Sequence, residues 1–315
     1  MTAKEQIYKA LGDKAIGDIV KIKENGVAKK YIIVQKGKPS SLYDDSCDGV
    51  WLLREKSHSR RAWHGANYET SVNDYENSEI NAWLNGEFLN SIDEKIRAAI
   101  KTVKIPYKKG TGSGGAVQSS ANGLSCKIFL LGGYEVGFTT NDCEYVPVDG
   151  TRLAYFLNGE EDSTAIQRRV CEDSEERAVY WWLRSADTDD TDYAWRVGAD
   201  GALGGSYTCY SYAVRPALIL PSSLLLNEDG TIYDSASDVQ SDTSEAQQLG
   251  KLKEELFAAT EKHVKNFLDL DANCGMYDVL TQTAHARFAS VYSIIEKCGL
   301  VDEFEAWKRA HGIDR

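Results

Sequence analysis

The sequence holds no apolar run near the ~20 residues that a membrane-spanning helix needs, so no membrane span is expected. Its opening residues, Met1 to Tyr8, carry no apolar h-region, which argues against a secretory leader. No C-x-x-C pair exists among the seven cysteines, Cys47, Cys126, Cys143, Cys171, Cys209, Cys274 and Cys298. Zinc ribbons and thioredoxin-type centres are thereby removed. The odd number and wide spacing suit reduced, scattered thiols in a protein made in a bacterial cytoplasm. Histidine is sparse, at five. His58 and His64 are six positions apart, not the i, i+4 of a helical zinc site. The glycine loop Gly110–Gly115 lacks the Lys-Ser/Thr ending and the strand–helix context of a phosphate-binding loop, and reads as a flexible connection. Basic charge is also in deficit: 36 Lys and Arg against 48 Asp and Glu give a net charge of −12. That balance argues against a nucleic-acid partner.

What is present reads as an ordinary globular chain of 315 residues, about two domains long. Ile19 to Ile22 and Tyr31 to Val34 flank Asn25-Gly26, a hairpin signal. Apolar residues from Ile80 to Ile100 recur at helical spacing, with Asn77-Ser78 as an N-cap, a break near Gly86 and a second cap at Ser91. Ile128–Leu131 reads as a short buried strand. Residues 179–220 read as strands with turns at Asp200-Gly201 and Gly204-Gly205. Residues 234–245 form a Ser/Asp-rich polar linker. Beyond it Leu249, Leu252, Leu256, His263, Val264 and Phe267, then Val279 to Ile295, then Val301, Phe304 and Trp307, mark two or three helices. The organisation expected is therefore 1–233, a linker at 234–245, and a helical module at 246–315.

The acidic run Asp187–Asp192 does not complete an EF-hand loop, because Asp192 and Gly198 stand where Gly and Glu are required. No metal or cofactor is expected. The informative stretch is 181–217. Two apolar ends, Trp181-Trp-Leu-Arg-Ser and Val214-Arg-Pro-Ala-Leu, bracket loops of Asp, Thr, Ser and Tyr. Large, stiff tyrosines among adaptable hydroxyls are the composition of a binding surface. The contact residues expected are Asp187, Thr188, Asp189, Asp190, Asp192, Tyr193, Trp195, Arg196, Ser206, Tyr207, Thr208, Tyr210, Ser211 and Tyr212. Trp182, Arg184 and Arg215 are expected beneath them as framework, the arginines paired with carboxylates or carbonyls.

The frame Trp182-Leu-Arg-Ser185, Ala194, Asp200-Gly201, Val214-Arg-Pro-Ala-Leu218, together with Tyr75–Phe88 and Ile128–Leu131, resembles a bacterial and phage domain family of unassigned function. That family has a C-type-lectin-like fold, shared with formylglycine-generating enzymes and with the variable proteins of diversity-generating retroelements. The resemblance covers residues 14–222. It implies an α+β, C-type-lectin-like domain followed by a small helical module. It also implies a non-enzymatic recognition protein with a diversified face for a bacterial surface protein or glycan. In such variable proteins diversity arises at adenine-containing codons, and Asp187–Tyr193, including Thr191, together with Ser206, Tyr207, Thr208, Tyr210, Ser211 and Tyr212 are of the kind that one-base changes there give. The calcium motifs of sugar-binding lectins and the catalytic cysteine pair of formylglycine-generating enzymes have no match here. Phe267-Leu-Asp-Leu-Asp-Ala272, Tyr277-Asp278 and Glu305-Ala-Trp-Lys308 resemble helical segments of phage tail proteins, beside the plainer reading of a generic helical hairpin. A tail protein would meet other virion proteins through these helices and reside in the virion or on the cell, with a homo-oligomer such as a trimer as the assembly. An enzyme of the formylglycine-generating type, a glycan hydrolase and a purely structural virion protein stand as the alternatives.

Overall fold

Asn25 and Gly26 adopt φ of 48° and 78°, the two positive angles that a type I′ turn demands. The turn joins strands β1 (Ile19–Glu24) and β2 (Val27–Lys36) in the expected hairpin. The structure is a computed structural model that describes residues 9–156, 163–227, 229–233, 256–257, 289, 292–293, 295–296 and 300–310. Eight further strands place the rest of the core. They are β3 (Val50–Arg54), β4 (Arg60–Ala62), β5 (Ile128–Phe129) and β6 (Trp181–Ala186). Then follow β7 (Tyr193–Val197), β8 (Leu203–Tyr207), β9 (Ser211–Ala213) and β10 (Ala217–Leu220).

Two five-stranded sheets result, ordered β5-β10-β3-β2-β1 and β8-β7-β6-β9-β4. Every pair in the first is antiparallel. In the second only β6 and β9 run parallel, with Trp181 opposite Ala213. The short link Val214-Arg215-Pro216 carries the chain from one sheet to the other. It is anchored by Val214 N–H donating to the Ser59 carbonyl (2.8 Å) and Arg54 N–H to the Pro216 carbonyl (2.9 Å). Short helices lie outside the sheets: α1 (Glu79–Trp83), α2 (Leu89–Ser91), α3 (Glu94–Ala99) and α4 (Ser163–Arg169). The fold is α+β, mostly sheet.

Trp51, Trp63, Trp181 and Trp182 are wholly buried. An aromatic indole is admitted to a core when its N–H finds an acceptor, and all four do. Trp51 donates to the Cys47 carbonyl (3.0 Å), Trp63 to Leu183 (2.9 Å), Trp181 to Arg169 (2.9 Å) and Trp182 to Arg61 (3.0 Å). Two of these bonds, Trp63 to Leu183 and Trp182 to Arg61, tie β6 to the segment around β4, about 120 positions away in sequence.

Ser78 caps α1 as expected, accepting from Asn81 N–H at 3.2 Å. Three expectations are corrected. Gly86 does not break the helix: a wide turn with π-type geometry, Leu84–Phe88, carries it through to α2. The second cap is Asp93, which accepts from Lys95 N–H (3.2 Å). Ser91 instead ends α2, its hydroxyl donating back to the Phe88 carbonyl (2.7 Å). Gly204 and Gly205 are strand residues of β8 rather than a turn. The room they leave is filled: a Cβ on Gly204 would meet the Arg196 guanidinium at 3.0 Å, and one on Gly205 would meet Tyr193 at 3.3 Å. Of Ile128–Leu131, all are buried, but only the first two residues pair in a strand.

The chain divides into two compact units, Met1–Ala236 and Ser237–Arg315. In the second, α5 (Val301–Ala310) bears Phe304, which packs with Phe257 (5.2 Å between rings) and Tyr292 (6.1 Å). Ile295 and Phe304 are fully buried there. The linker 234–245, the motifs at 267–272 and 277–278, and the apolar positions Leu249, Leu252, His263, Val264, Phe267, Val279, Leu280, Phe288, Val291 and Ile294 lie outside the described residues. No helix among the described residues is long and apolar enough to cross a membrane.

Candidate ligand-binding surface

Beneath the loops that follow β6 sits a buried ion pair. Arg184 grips Glu135 through two nitrogens, at 2.6 and 2.8 Å, with both side chains fully buried. A desolvated pair holds only if its remaining hydrogen-bond capacity is met. Here Arg184 also donates to the carbonyls of Pro106 (2.8 Å), Leu130 (3.0 Å) and Asp149 (2.6 Å). Glu135 accepts further from Tyr43 O–H (2.7 Å) and Gly132 N–H (2.9 Å). Burial opposes the charge of Arg184, but the Glu135 carboxylate outweighs it and holds the guanidinium above its ordinary pKa. Asp149 lies beside this pair, accepting from Ser185 O–H at 2.7 Å. Burial, opposed by Arg184, pushes its carboxyl up to about 6. Its Oδ1 has no hydrogen-bond partner. Arg215 is buried as well, donating to the Arg54 carbonyl (2.9 Å) and lying over the Trp181 ring (5.2 Å). Trp182, Arg184 and Arg215 thus occupy the framework positions assigned to them.

Above the frame, the acidic loop is held by a residue that no sequence motif marks. Asn73 is wholly buried. Its side-chain amide donates to the carbonyls of Asp187 (2.9 Å), Asp190 (2.7 Å) and Tyr193 (2.7 Å). Its own N–H donates to the Thr191 carbonyl (2.8 Å), and its Oδ1 accepts from Gly112 N–H (3.0 Å). The glycine loop therefore packs against the acidic loop instead of standing free. Gly112 has φ +45°, and a Cβ there would come within 2.8 Å of the Thr191 methyl. The buried Lys108 ammonium secures the same loop by donating to the Lys109 (3.0 Å) and Gly114 (2.6 Å) carbonyls. Asp187 turns inward, accepting from Asp189 N–H (2.8 Å) and Asp190 N–H (3.2 Å). Burial raises its pKa.

The second loop is stapled from the same direction. Ser71 and Thr208 share a hydroxyl hydrogen bond (2.6 Å), and the Thr208 carbonyl accepts from Trp63 N–H (2.8 Å) and His64 N–H (3.0 Å). Thr208 N–H in turn donates to the Asp192 carbonyl (2.9 Å), tying the two loops together.

The expected contact residues separate into three groups. Asp187, Trp195, Ser206 and Thr208 are buried, so they support the surface and do not form it. Tyr193, Tyr207 and Tyr210 gather with Tyr68, whose ring meets Tyr207 at 4.7 Å and whose hydroxyl bonds that of Tyr210. Tyr193 and Tyr207 face each other across β7 and β8 with ring centroids 4.4 Å apart. Asp189, Asp190 and Thr191 are exposed beside this group, and Thr188 and Asp192 are half-buried. Hydrogen bonding between the phenols pushes Tyr68 and Tyr193 each up to about 12. The third group lies on the opposite face of the sheet. Tyr212 packs on Trp182 (4.9 Å), its hydroxyl meets Ser206 (3.2 Å), and Arg196 lies over the rings of Tyr212 (5.0 Å) and Tyr180 (4.5 Å). Ser211, on the same short strand, is exposed. Period-two alternation enforces the split, because Tyr193 and Arg196 are three positions apart on β7. Among the described residues no group of three or more His, Cys, Asp or Glu is placed to hold a metal ion.

A family model described as a domain of unknown function (DUF6273) matches residues 48–222. That span is more than half of the chain and includes β3 to β10 with all the loops above; the chain belongs to this family. No curated protein and no solved structure matches it.

Proposed function

We propose that the first unit is a non-enzymatic recognition module with a C-type-lectin-like fold. Its ligand is a protein or glycan of a bacterial surface, and its setting is a phage tail or a surface display protein. The observation that carries this reading is the Tyr68–Tyr193–Tyr207–Tyr210 group, with Asp189 and Asp190 beside it, on loops fastened by buried Asn73 and Thr208. Tyrosine offers broad amphipathic contact at low entropic cost, and fastened loops avoid the cost of ordering on binding. The strongly shifted groups favour the same reading. Asp149, Cys47 and Cys126 are buried. Burial pushes the two thiols up to about 11 and 12, which makes them poor nucleophiles at neutral pH.

The test is binding of the fluorescently labelled full-length chain to bacterial envelope preparations and to an array of bacterial glycans. Saturable binding that vanishes in the Tyr68→Ala/Tyr207→Ala/Tyr210→Ala variant is the expected result. Binding that survives in this variant would refute the assignment of the surface.

A further inference from the structure

Away from the tyrosine surface, the chain collects positive charge where its composition is least able to supply it. A cavity of about 310 Å³ opens between the hairpin and the segment after β3, lined by Ala28, Lys29, Lys30, Arg54, Glu55, Lys56, Ser57, His58 and Ser174. Four cationic residues and one acidic residue line it, on a chain of net charge −12. The volume is that of a small-molecule site. Arg54 forms the floor but is already engaged. Its Nε and Nη2 pair with buried Glu24 (2.8 and 3.1 Å), and its Nη1 donates to the Lys56 and Ser57 carbonyls (2.5 and 2.6 Å). The charge left to a ligand is therefore that of the lysines. Lys29 has no ion-pair partner among the described residues. Lys30 reaches Glu55 only at 3.9 Å, and Lys56 meets the exposed Glu176 at 3.3 Å. Loose pairs at solvent contribute little and are readily exchanged for a more highly charged anion.

We propose that this cavity binds a phosphate-bearing small molecule, its phosphate between Lys29 and Lys56 and its body against Ala28 and His58. Separate ammonium groups act as point charges and suit a dianion, whereas a planar carboxylate is best held by an arginine fork, and the one that lines this cavity is committed to Glu24. Ser57 and Ser174 add hydroxyls at the lining. Burial, aided by Arg54, lowers the pKa of His58, so its ring enters as a neutral donor or acceptor.

The experiment titrates the full chain at fixed ionic strength with inorganic phosphate, glucose 6-phosphate and glucose, following calorimetry and amide NMR shifts. Saturable shifts centred on Ser57 and His58 are expected, tightest for glucose 6-phosphate and absent for glucose. Lys29→Gln/Lys56→Gln should weaken binding by about tenfold or more, Glu55→Gln should tighten it, and Lys38→Gln should leave it unchanged. Each variant's thermal midpoint is measured first, so that loss of binding is read only on folded protein. Linear, unsaturated shifts, equal binding of glucose, or an undiminished affinity in the double variant would overturn the proposal.

Discussion

Asn73 carries neither charge nor exposure, and its influence comes from how many backbone groups depend on it. One carboxamide answers the Asp187 and Asp190 carbonyls and the Gly112 N–H inside the protein, and shares the Tyr193 carbonyl with the Asp187 N–H (3.0 Å). Replacing it with Ala strands the first three groups at once, a cost of about 2–4 kcal/mol. Asn73→Ala is thus expected to lower the urea midpoint and to abolish the ligand binding proposed for the tyrosine surface, and a variant that keeps both would show the loop to be held by other means. Asp149 presents a different situation, a carboxyl whose ionisation works against the fold. Its folded pKa, about 6, stands above the ordinary 3.8. The folded state therefore binds the proton more tightly than the unfolded chain does. Stability from this group is complete below about pH 4 and is lost as pH rises through about 6, roughly 3 kcal/mol in all. Asp149→Asn should remove that loss. The difference in unfolding free energy between Asp149→Asn and the parent should therefore grow in the variant's favour from pH 4 to pH 8, and a difference flat in pH would contradict the buried, ionising carboxyl.

At the level of strands and loops, what was legible in the sequence was local. The Asn25-Gly26 hairpin and the Ser78 cap depend on residues a few positions apart, so turn and cap chemistry located both. The bracket ends Trp181–Ser185 and Val214–Leu218 were also readable, since apolar runs must be buried. Ser91 misled because a serine hydroxyl can bond backward to Phe88 as readily as forward. Gly204-Gly205 misled because a glycine pair that yields to the bulk of Arg196 and Tyr193 looks, in one dimension, like a turn. The tyrosines could not be sorted, because the face each one takes depends on cross-strand register: Tyr193 stands opposite Tyr207, whereas Tyr212 stands opposite Arg61. Tyr68 was out of reach, as its partner Tyr210 lies 142 positions away. The two faces make distinct demands on stability. Tyr68, Tyr207 and Tyr210 touch mainly one another at the surface, so their joint replacement by Ala should change the unfolding free energy by no more than about 1–2 kcal/mol. Tyr212→Ala opens the packing on Trp182 and releases Arg196, with a loss of about 1–2 kcal/mol for a single residue. Trp182→Ala should cost about 3–5 kcal/mol. Chemical denaturation of the three variants orders them, and a triple variant less stable than Trp182→Ala would place the surface tyrosines in the core.

For the molecule as a whole, the question is which parts stand without the others. The first unit has a continuous core that runs from Leu11 to Ile232 and takes in both sheets. Its start and finish are joined to each other: Lys9–Ala10 pairs with Leu225–Leu226, which pairs with Ile232–Tyr233, and Leu11 N–H donates to the Leu224 carbonyl at 2.7 Å. The opening strand of this unit and its last two strands thus belong to one three-stranded sheet, with Leu225–Leu226 in the middle. The second unit has its own small cluster around Phe257, Ile295 and Phe304. Between them the sequence 234–245 offers Ser, Asp and Thr with Val239 as its single branched apolar residue, so it has little to bury. A protease that needs an extended, accessible segment should therefore cut there first. Limited digestion of the full chain is expected to yield a stable fragment ending near residue 233. That fragment should keep the near-ultraviolet dichroism of the packed tryptophans and the cooperative unfolding of the parent. A first cut inside 48–222, or a fragment that loses its tertiary signal as the second unit is released, would mean that the first unit depends on residues beyond its own closing strands.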